Sequence, residues 1–128
     1  MTSDGSKYGS ANRRLERALA DGDLGRAVAA SRELPRVGLR DAAKILFLMA
    51  RNGDRRYPRA AARWLSRYAS EVADVTPDQL AHVADALAEL EHADPEAAEM
   101  LLAAAGPEGA PAGVRRSADG DRGATRAR

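Results

Sequence analysis

Apolar residues recur at helical spacing along most of this chain, and no stretch alternates apolar and polar positions as strands do. The spacing predicts an all-α protein, a compact bundle of five or six short helices that includes stacked antiparallel hairpins as one arrangement. The predicted helices cover about 12–20, 24–33, 39–51 and 55–73, with a fifth beginning at 77 and a sixth running from 95 to 105.

Residues that favour helix ends support these boundaries. Thr76 and Gln79 have the spacing of a capping box, in which each side chain binds the other's backbone N–H. Gly22 is suited to the left-handed end of a helix, and Asp23 is suited to cap the next one. Pro35 discourages continuation of the second helix. The start of the fifth helix is therefore the best defined.

The third helix is apolar almost all the way round, which is typical of a helix surrounded by others. We therefore expect it at the centre of the bundle. Trp64 and Tyr68 lie one turn apart on the inner face of the fourth helix. We interpret them as core residues and not as a platform for stacking bases.

Composition divides the chain into three parts. Residues 1–10 are predicted to be a flexible N-terminus, and residues 11–106 form the helical domain. Residues 107–128 are rich in Pro, Gly, Ala, Ser, Asp and Arg, with Val114 the only bulky apolar residue. Such a segment buries too little apolar area to offset its ordering entropy, so it is predicted to be a disordered, Arg-containing tail.

Cysteine usage and hydropathy exclude several classes of protein. The chain has no Cys, which excludes disulfides, thiolate nucleophiles and Cys-ligated zinc. The longest bulky apolar run, 45–49, is far shorter than the roughly 20 residues that span a bilayer. Residues 1–10 lack the apolar core of a signal peptide. We expect a soluble cytoplasmic protein without membrane contact.

The net charge of +1 conceals an asymmetry along the chain. Residues 12–68 hold fourteen Lys and Arg against six acids, whereas residues 69–104 hold nine acids and no Lys or Arg. Such separation favours association, either with polyanions or between oppositely charged surfaces.

The basic part includes Arg residues repeated every four positions along the fourth helix. This spacing places them on one side of a helix, opposite the apolar face. Three interpretations stay open: a solvated polar face, a surface that pairs with acidic helices within the molecule or in a homodimer, and a binding site for nucleic-acid phosphates. The candidate basic docking face consists of Arg51, Arg55, Arg56, Arg59, Arg63 and Arg67.

The acidic part presents a second candidate surface on the last two helices. Two His and several carboxylates share one arc of the fifth helix, but this arc lies opposite the apolar face, whereas bundle metal sites project inward. We interpret it as a solvated or acidic docking face and predict no metal or cofactor. The candidate acidic docking face consists of Asp78, His82, Asp85, Glu89, His92, Glu96 and Glu99.

No catalytic residue is predicted. The Ser residues lack the context of a nucleophile, and no phosphate-binding loop is present. Glu71 lies near the apolar side of the fourth helix, where burial would raise its pKa, but no paired carboxylate accompanies it. The third helix is too apolar to read bases as the second helix of a helix-turn-helix. The chain is therefore interpreted as a non-enzyme.

Two resemblances accompany this interpretation. Gly22 and Asp23 match Gly53 and Asp54 at an offset of 31 residues, which is similar to a degenerate tetratricopeptide-like helical hairpin, although the Trp, Gly and Tyr signature is missing. Through the stretches 34–37 and 63–68, the chain also resembles small all-helical proteins of unassigned function from GC-rich bacteria. This resemblance implies a helical domain and supplies no site residue.

The charge pattern leads to two functional expectations. The first is a non-enzymatic interaction or regulatory module that docks a protein partner or a second copy through opposed basic and acidic faces. The alternative is a nucleic-acid-associated accessory protein that binds phosphates through the Arg residues, with the tail as an auxiliary contact.

Overall fold

The computed structural model describes residues 3–106, and side chains from residue 8 onward. This part of the chain is all-helical, as predicted, and links of two to six residues join its helices. The six helices are α1 (Ser3–Asp21), α2 (Leu24–Arg32), α3 (Leu39–Arg51), α4 (Tyr57–Glu71), α5 (Pro77–Leu90) and α6 (Pro95–Ala105).

Helices α3 to α6 form a closed ring in which each helix packs against the next and α6 returns to α3. Hydrogen bonds between helix ends show that neighbours are antiparallel. Arg67 near the end of α4 donates to Val37 O just before α3, 2.8 Å away. Tyr57 at the start of α4 donates to Leu87 O near the end of α5. The ring is thus a four-helix bundle with short links.

The contact that closes this ring joins the start of α3 to the end of α6. Arg40 Nη1 donates to Leu102 O at 3.3 Å and to Gly106 O at 3.2 Å. Carbonyls in the last turn of a helix have no partner within the helix, and a cation there also favours the helix dipole. Arg40 therefore caps α6 while holding it against α3.

Helices α1 and α2 form a hairpin that attaches to the ring through contacts between α2 and α3. The hairpin has its own small core of Leu15, Ala18, Ala27 and Ala30, separate from the larger core of the ring. Ile45 of α3 packs against both cores. The prediction that the third helix is central is confirmed in this sense, because α3 contacts α2, α4 and α6.

The aromatic residues of α4 lie inside the ring. Trp64 is 2% exposed, and its Nε1 donates to Leu39 O at 2.9 Å. Tyr68 stacks on Trp64 with a centroid distance of 5.7 Å. Burial raises the pKa of Tyr57 to about 12, with a smaller contribution from the negative charge of Glu91. These contacts confirm that Trp64 and Tyr68 are core residues.

The predicted helix ends are largely observed. Thr76 Oγ1 accepts from Gln79 N at 3.1 Å, and Gln79 Oε1 accepts from Thr76 N at 2.8 Å, which completes the capping box. The repeated Gly-Asp pair has a shared geometry as well. Gly22 and Gly53 adopt φ values of +70° and +62°, and each following Asp accepts a backbone N–H farther along the chain.

Three boundaries differ from the prediction, one of them the end of α4, which lies at Glu71 and not at residue 73. α1 begins at Ser3 and not near residue 12, because Tyr8, Ala11 and Leu15 continue the helical apolar spacing toward the N-terminus. α4 begins at Tyr57, so Arg55 and Arg56 lie in the turn before it, where Asp54 accepts from the backbone N–H of Arg56. The predicted tail, 107–128, lies outside the described residues.

Among residues 3–106, no helix is both long enough and apolar enough to cross a membrane.

Replacing Thr76 with Ala should lower the free energy of unfolding by about 1 kcal/mol, because the N–H of Gln79 loses its acceptor. Urea denaturation followed by circular dichroism measures this change. Thr76→Ser is the matched control, since it keeps the hydroxyl oxygen and should retain most of the stability. Equal losses in both variants would contradict a capping role.

Candidate functional site

The candidate basic residues divide into two groups in the structure. Arg55, Arg59 and Arg63 are exposed and form no ion pair within residues 8–106. We call these three residues the arginine row. Arg59 and Arg63 are one turn apart on α4, about 6 Å along the helix axis, and Arg55 lies in the preceding turn. The arginine row is therefore available to an external anion.

The other three candidate basic residues contact groups of the protein itself. Arg56 binds Asp54 through two side-chain hydrogen bonds of 3.0 and 2.7 Å. Arg67 binds Glu71 and the carbonyl of Val37. Arg51 belongs to α3, and its guanidinium carbon lies 5.8 Å from the centroid of the Phe47 ring. The structure thus separates these residues from the arginine row by their contacts.

The contact made by Arg67 shows which side of α4 carries the arginine row. Arg67 faces the link between α2 and α3, because it donates to Val37 O. Each step of four residues back along α4 rotates the side chain by about 40°, so Arg63 and then Arg59 turn from this side toward solvent. Arg59 and Arg63 therefore lie on the solvent side of α4.

The candidate acidic residues occupy the outer sides of two neighbouring helices. Every one of them is exposed, and none forms an ion pair within the described chain. The helices that carry them pack together and are joined by the short link 91–94. We call the set the acidic surface: Asp78, His82, Asp85 and Glu89 on α5, His92 in the link, and Glu96 and Glu99 on α6. The expectation that both His lie on the fifth helix is wrong, because α5 ends at Leu90.

Charge separation along the sequence is largely kept in three dimensions. Of the nine acids in residues 69–104, Glu71 is the only one that forms an ion pair within the described chain. No ion pair joins the arginine row to the acidic surface there. None of the six candidate basic residues pairs with α5 or α6 within the described chain: Arg56 pairs with Asp54, and Arg67 pairs with Glu71 on its own helix. Pairing of the basic face with the acidic helices inside the molecule is therefore not observed there, and pairing in a homodimer stays a hypothesis.

Glu71 forms a charged cluster with Arg67 and Arg36. Its side chain is 9% exposed; Arg67 Nε approaches Oε2 to 2.8 Å, and Arg36 Nη2 approaches the same oxygen to 2.6 Å. The hydrogen bond from Arg67 is the main reason that the pKa of Glu71 lies below its ordinary value, and Arg36 adds to this effect against the opposing effect of burial. The expectation that burial raises this pKa is wrong, because the two guanidinium groups outweigh desolvation.

The cluster has a structural role. Arg36 lies in the link before α3, and Arg67 also donates to Val37 O in that link, so Glu71 and Arg67 fasten the link to the end of α4. Sequence reasoning missed this contact. The spacing of four residues between Arg67 and Glu71 is a signal for their pairing, but nothing in the sequence indicates the approach of Arg36.

The lowered pKa values of two other carboxylates are also explained by local ion pairs. Hydrogen bonds from the Arg56 side chain, followed by that from its backbone N–H, lower the pKa of Asp54 to about 2. The hydrogen bond from Arg14 lowers the pKa of Glu33. Both carboxylates accept from exposed Arg residues, so these shifts indicate surface pairing and not a catalytic cleft.

Within the described residues, no group of three or more His, Asp or Glu side chains is placed to hold a metal ion. His82 and His92, which were the nitrogen ligands considered for such a site, are both exposed.

No protein-family model, curated protein or solved structure matches this chain.

The Glu71 cluster predicts a pH dependence of stability. Because the folded-state pKa of Glu71 is lowered, the cluster stabilises the fold fully above the unfolded-state pKa near 4.5, and this contribution is lost as the pH falls through the folded-state value. At pH 7, Glu71→Gln should cost about 1–3 kcal/mol. Urea denaturation of both proteins from pH 7 to pH 3 measures the difference.

The difference between wild type and Glu71→Gln should shrink at the acid end of this range. Asp54 and Glu33 contribute to both curves, so the subtraction isolates Glu71. Glu91→Gln serves as the control, since Glu91 is exposed and forms no ion pair within the described chain. Parallel curves for wild type and Glu71→Gln would contradict the assignment.

Proposed function

We propose that this protein is a non-enzymatic interaction module that docks to another protein molecule through the arginine row and the acidic surface. The supporting observation is the separation of unpaired charge: three exposed Arg on α4 and in the turn before it, and exposed acids on α5 and α6, with no ion pair between the two sets within the described chain. Complementary charges on two molecules steer their encounter and fix their relative orientation.

A second copy of this chain offers both complementary surfaces. The arginine row of one molecule would contact the acidic surface of the next. Because the basic and acidic residues occupy different parts of the fold, each contact joins two unlike surfaces. Such contacts form twice in a two-fold dimer, or once per pair in a heterologous assembly that gives rings or open chains. Exposed ion pairs contribute roughly 0.2–1 kcal/mol each, so three of them support weak, salt-sensitive association.

Nucleic acid is the second candidate, favoured by the regular spacing of the arginine row. Three phosphate contacts would give a slope of about −2.7 in a plot of log affinity against log salt concentration, which is roughly a 40-fold loss between 50 and 200 mM salt. The acidic surface opposes this function, because seven residues on α5, α6 and their link would contribute only repulsion or nothing.

Sedimentation velocity at 50 and 500 mM salt tests the proposal. The wild type should associate at low salt and dissociate at high salt. A row-neutral variant (Arg55→Gln, Arg59→Gln, Arg63→Gln) and an acid-neutral variant (Asp85→Asn, Glu89→Gln, Glu96→Gln, Glu99→Gln) should each bind themselves roughly tenfold to hundredfold more weakly. Mixed together, the two variants should form pairs that do not grow further, since each retains one native surface.

The matched control removes the same charge elsewhere. Arg13, Arg17 and Arg32 are exposed on the α1–α2 hairpin and form no ion pair in the described chain, so their replacement by Gln should leave association unchanged. A wild type that stays monomeric at low salt, or control and row-neutral variants that weaken association equally, would overturn the docking proposal. Binding of a 20-base-pair duplex with the salt slope above, lost in the row-neutral variant alone, would favour nucleic acid.

A further inference from the structure

A groove lies where the α1–α2 hairpin meets the ring. It has a volume of about 350 Å³ and is lined by the end of α1, one side of α3 and the middle of α6. Its walls include Leu19 from α1, Phe47 and Leu48 from α3, and Leu102 from α6. The groove is thus continuous with both cores yet open to solvent.

Small residues form part of the lining of the groove. Ala20 and Gly22 lie at the end of α1, Ala43 lies on α3 and Ala98 lies on α6, all of them lining residues. Gly22 has a φ of +70°, a backbone conformation that residues other than Gly rarely adopt. A Cβ atom added there would meet nothing within 4 Å. A larger side chain at Ala98 would occupy the space.

Phe47 gives the groove its apolar character. It is half-buried, packs against the core of the ring and lines the opening. An aromatic side chain that stays partly exposed in a concave surface is a feature of small-molecule sites, which combine apolar walls with a few polar groups. The volume of the groove lies at the small end of the range of about 300–1,000 Å³ for such sites.

The unpaired charge of the groove favours an anion. Arg51 lies on α3 about one turn after Phe47, and Asp21 at the end of α1 is the acid among the lining residues. Lys44, about one turn before Phe47, already interacts within the protein, so the anion is assigned to Arg51. Asp21 has its own cation, since its Oδ2 is 3.6 Å from Arg26 Nη1. Arg51 is exposed, forms no ion pair within the described chain and lies over the Phe47 ring, 5.8 Å from its centroid.

We propose that the groove binds a small amphiphilic anion, with its apolar body against Phe47, Leu19 and Leu102 and its single carboxylate or sulfonate at the guanidinium of Arg51. Burial of the apolar body supplies most of the affinity, at roughly 25 cal/mol per Å² removed from water. The charge-assisted hydrogen bond to Arg51 selects anions over neutral or cationic molecules of the same shape. The site is separate from the arginine row and the acidic surface.

The test uses 1-anilinonaphthalene-8-sulfonate, an aromatic body with one sulfonate, as a fluorescent probe of the full chain. We expect saturable binding with one site per molecule and displacement by decanoate. Decanol and decylamine should displace the probe about tenfold less effectively, because neither offers an anion to Arg51.

Two variants locate the site. Arg51→Gln should weaken decanoate binding about tenfold and leave decanol binding unchanged. Ala98→Leu fills the groove and should weaken both ligands about tenfold or more. The matched controls are Arg59→Gln, an exposed Arg of α4, and Ala88→Leu, an exposed position of α5; both should bind as the wild type does. Circular dichroism and urea midpoints verify that each variant is folded.

The proposal is overturned if the probe does not bind saturably, if Arg59→Gln weakens decanoate as much as Arg51→Gln does, or if Ala98→Leu binds like the wild type. These results are independent of the docking proposal, since Arg51 and Ala98 belong to neither docking surface as the structure defines them. Self-association measured for the Arg51→Gln variant should equal that of the wild type.

Discussion

The burial of α3 on several sides is the constraint on which the rest of the structure depends. Leu46 belongs to the core of the ring, and Ile45 on another side packs against both cores. Through these two residues, α3 belongs to the core of the ring and also packs against the core of the hairpin. Because hydrophobic burial is the main favourable term in folding, a single apolar helix holds two otherwise separate cores in one domain. The groove lies where the end of α1 and the middle of α6 meet this helix.

Electrostatics follow from the same arrangement. The ring directs apolar faces inward and leaves the polar sides of α4, α5 and α6 in solvent, so the charge pattern of the sequence becomes a pattern of surfaces. Glu71 is a buried acid, and it pairs with two Arg residues that lower its pKa. Glu71 and Arg67 therefore serve the fold, whereas the unpaired charges of Arg55, Arg59 and Arg63 remain available for association.

Much of the fold could be predicted from the sequence because its signals are local. The capping box at Thr76 and Gln79 and the apolar spacing within each helix depend on residues a few positions apart. The contacts of the Arg side chains could not be predicted in this way. Arg36 pairs with Glu71, which is distant in sequence, and Arg56 turns toward Asp54. The groove could not be foreseen for the same reason, because its lining residues come from α1, α3 and α6, which are distant in sequence.

The contact between α3 and α6 also has a consequence for how the chain reaches its native state. Arg40 and Gly106 are far apart in sequence, so the bonds that close the ring cannot form until the last helix has been made. The α1–α2 hairpin, by contrast, requires only local contacts and can form early. During synthesis on the ribosome, the side of α3 that packs on α6 stays uncovered until α6 emerges, and this is the period in which the nascent protein is most exposed to misassembly.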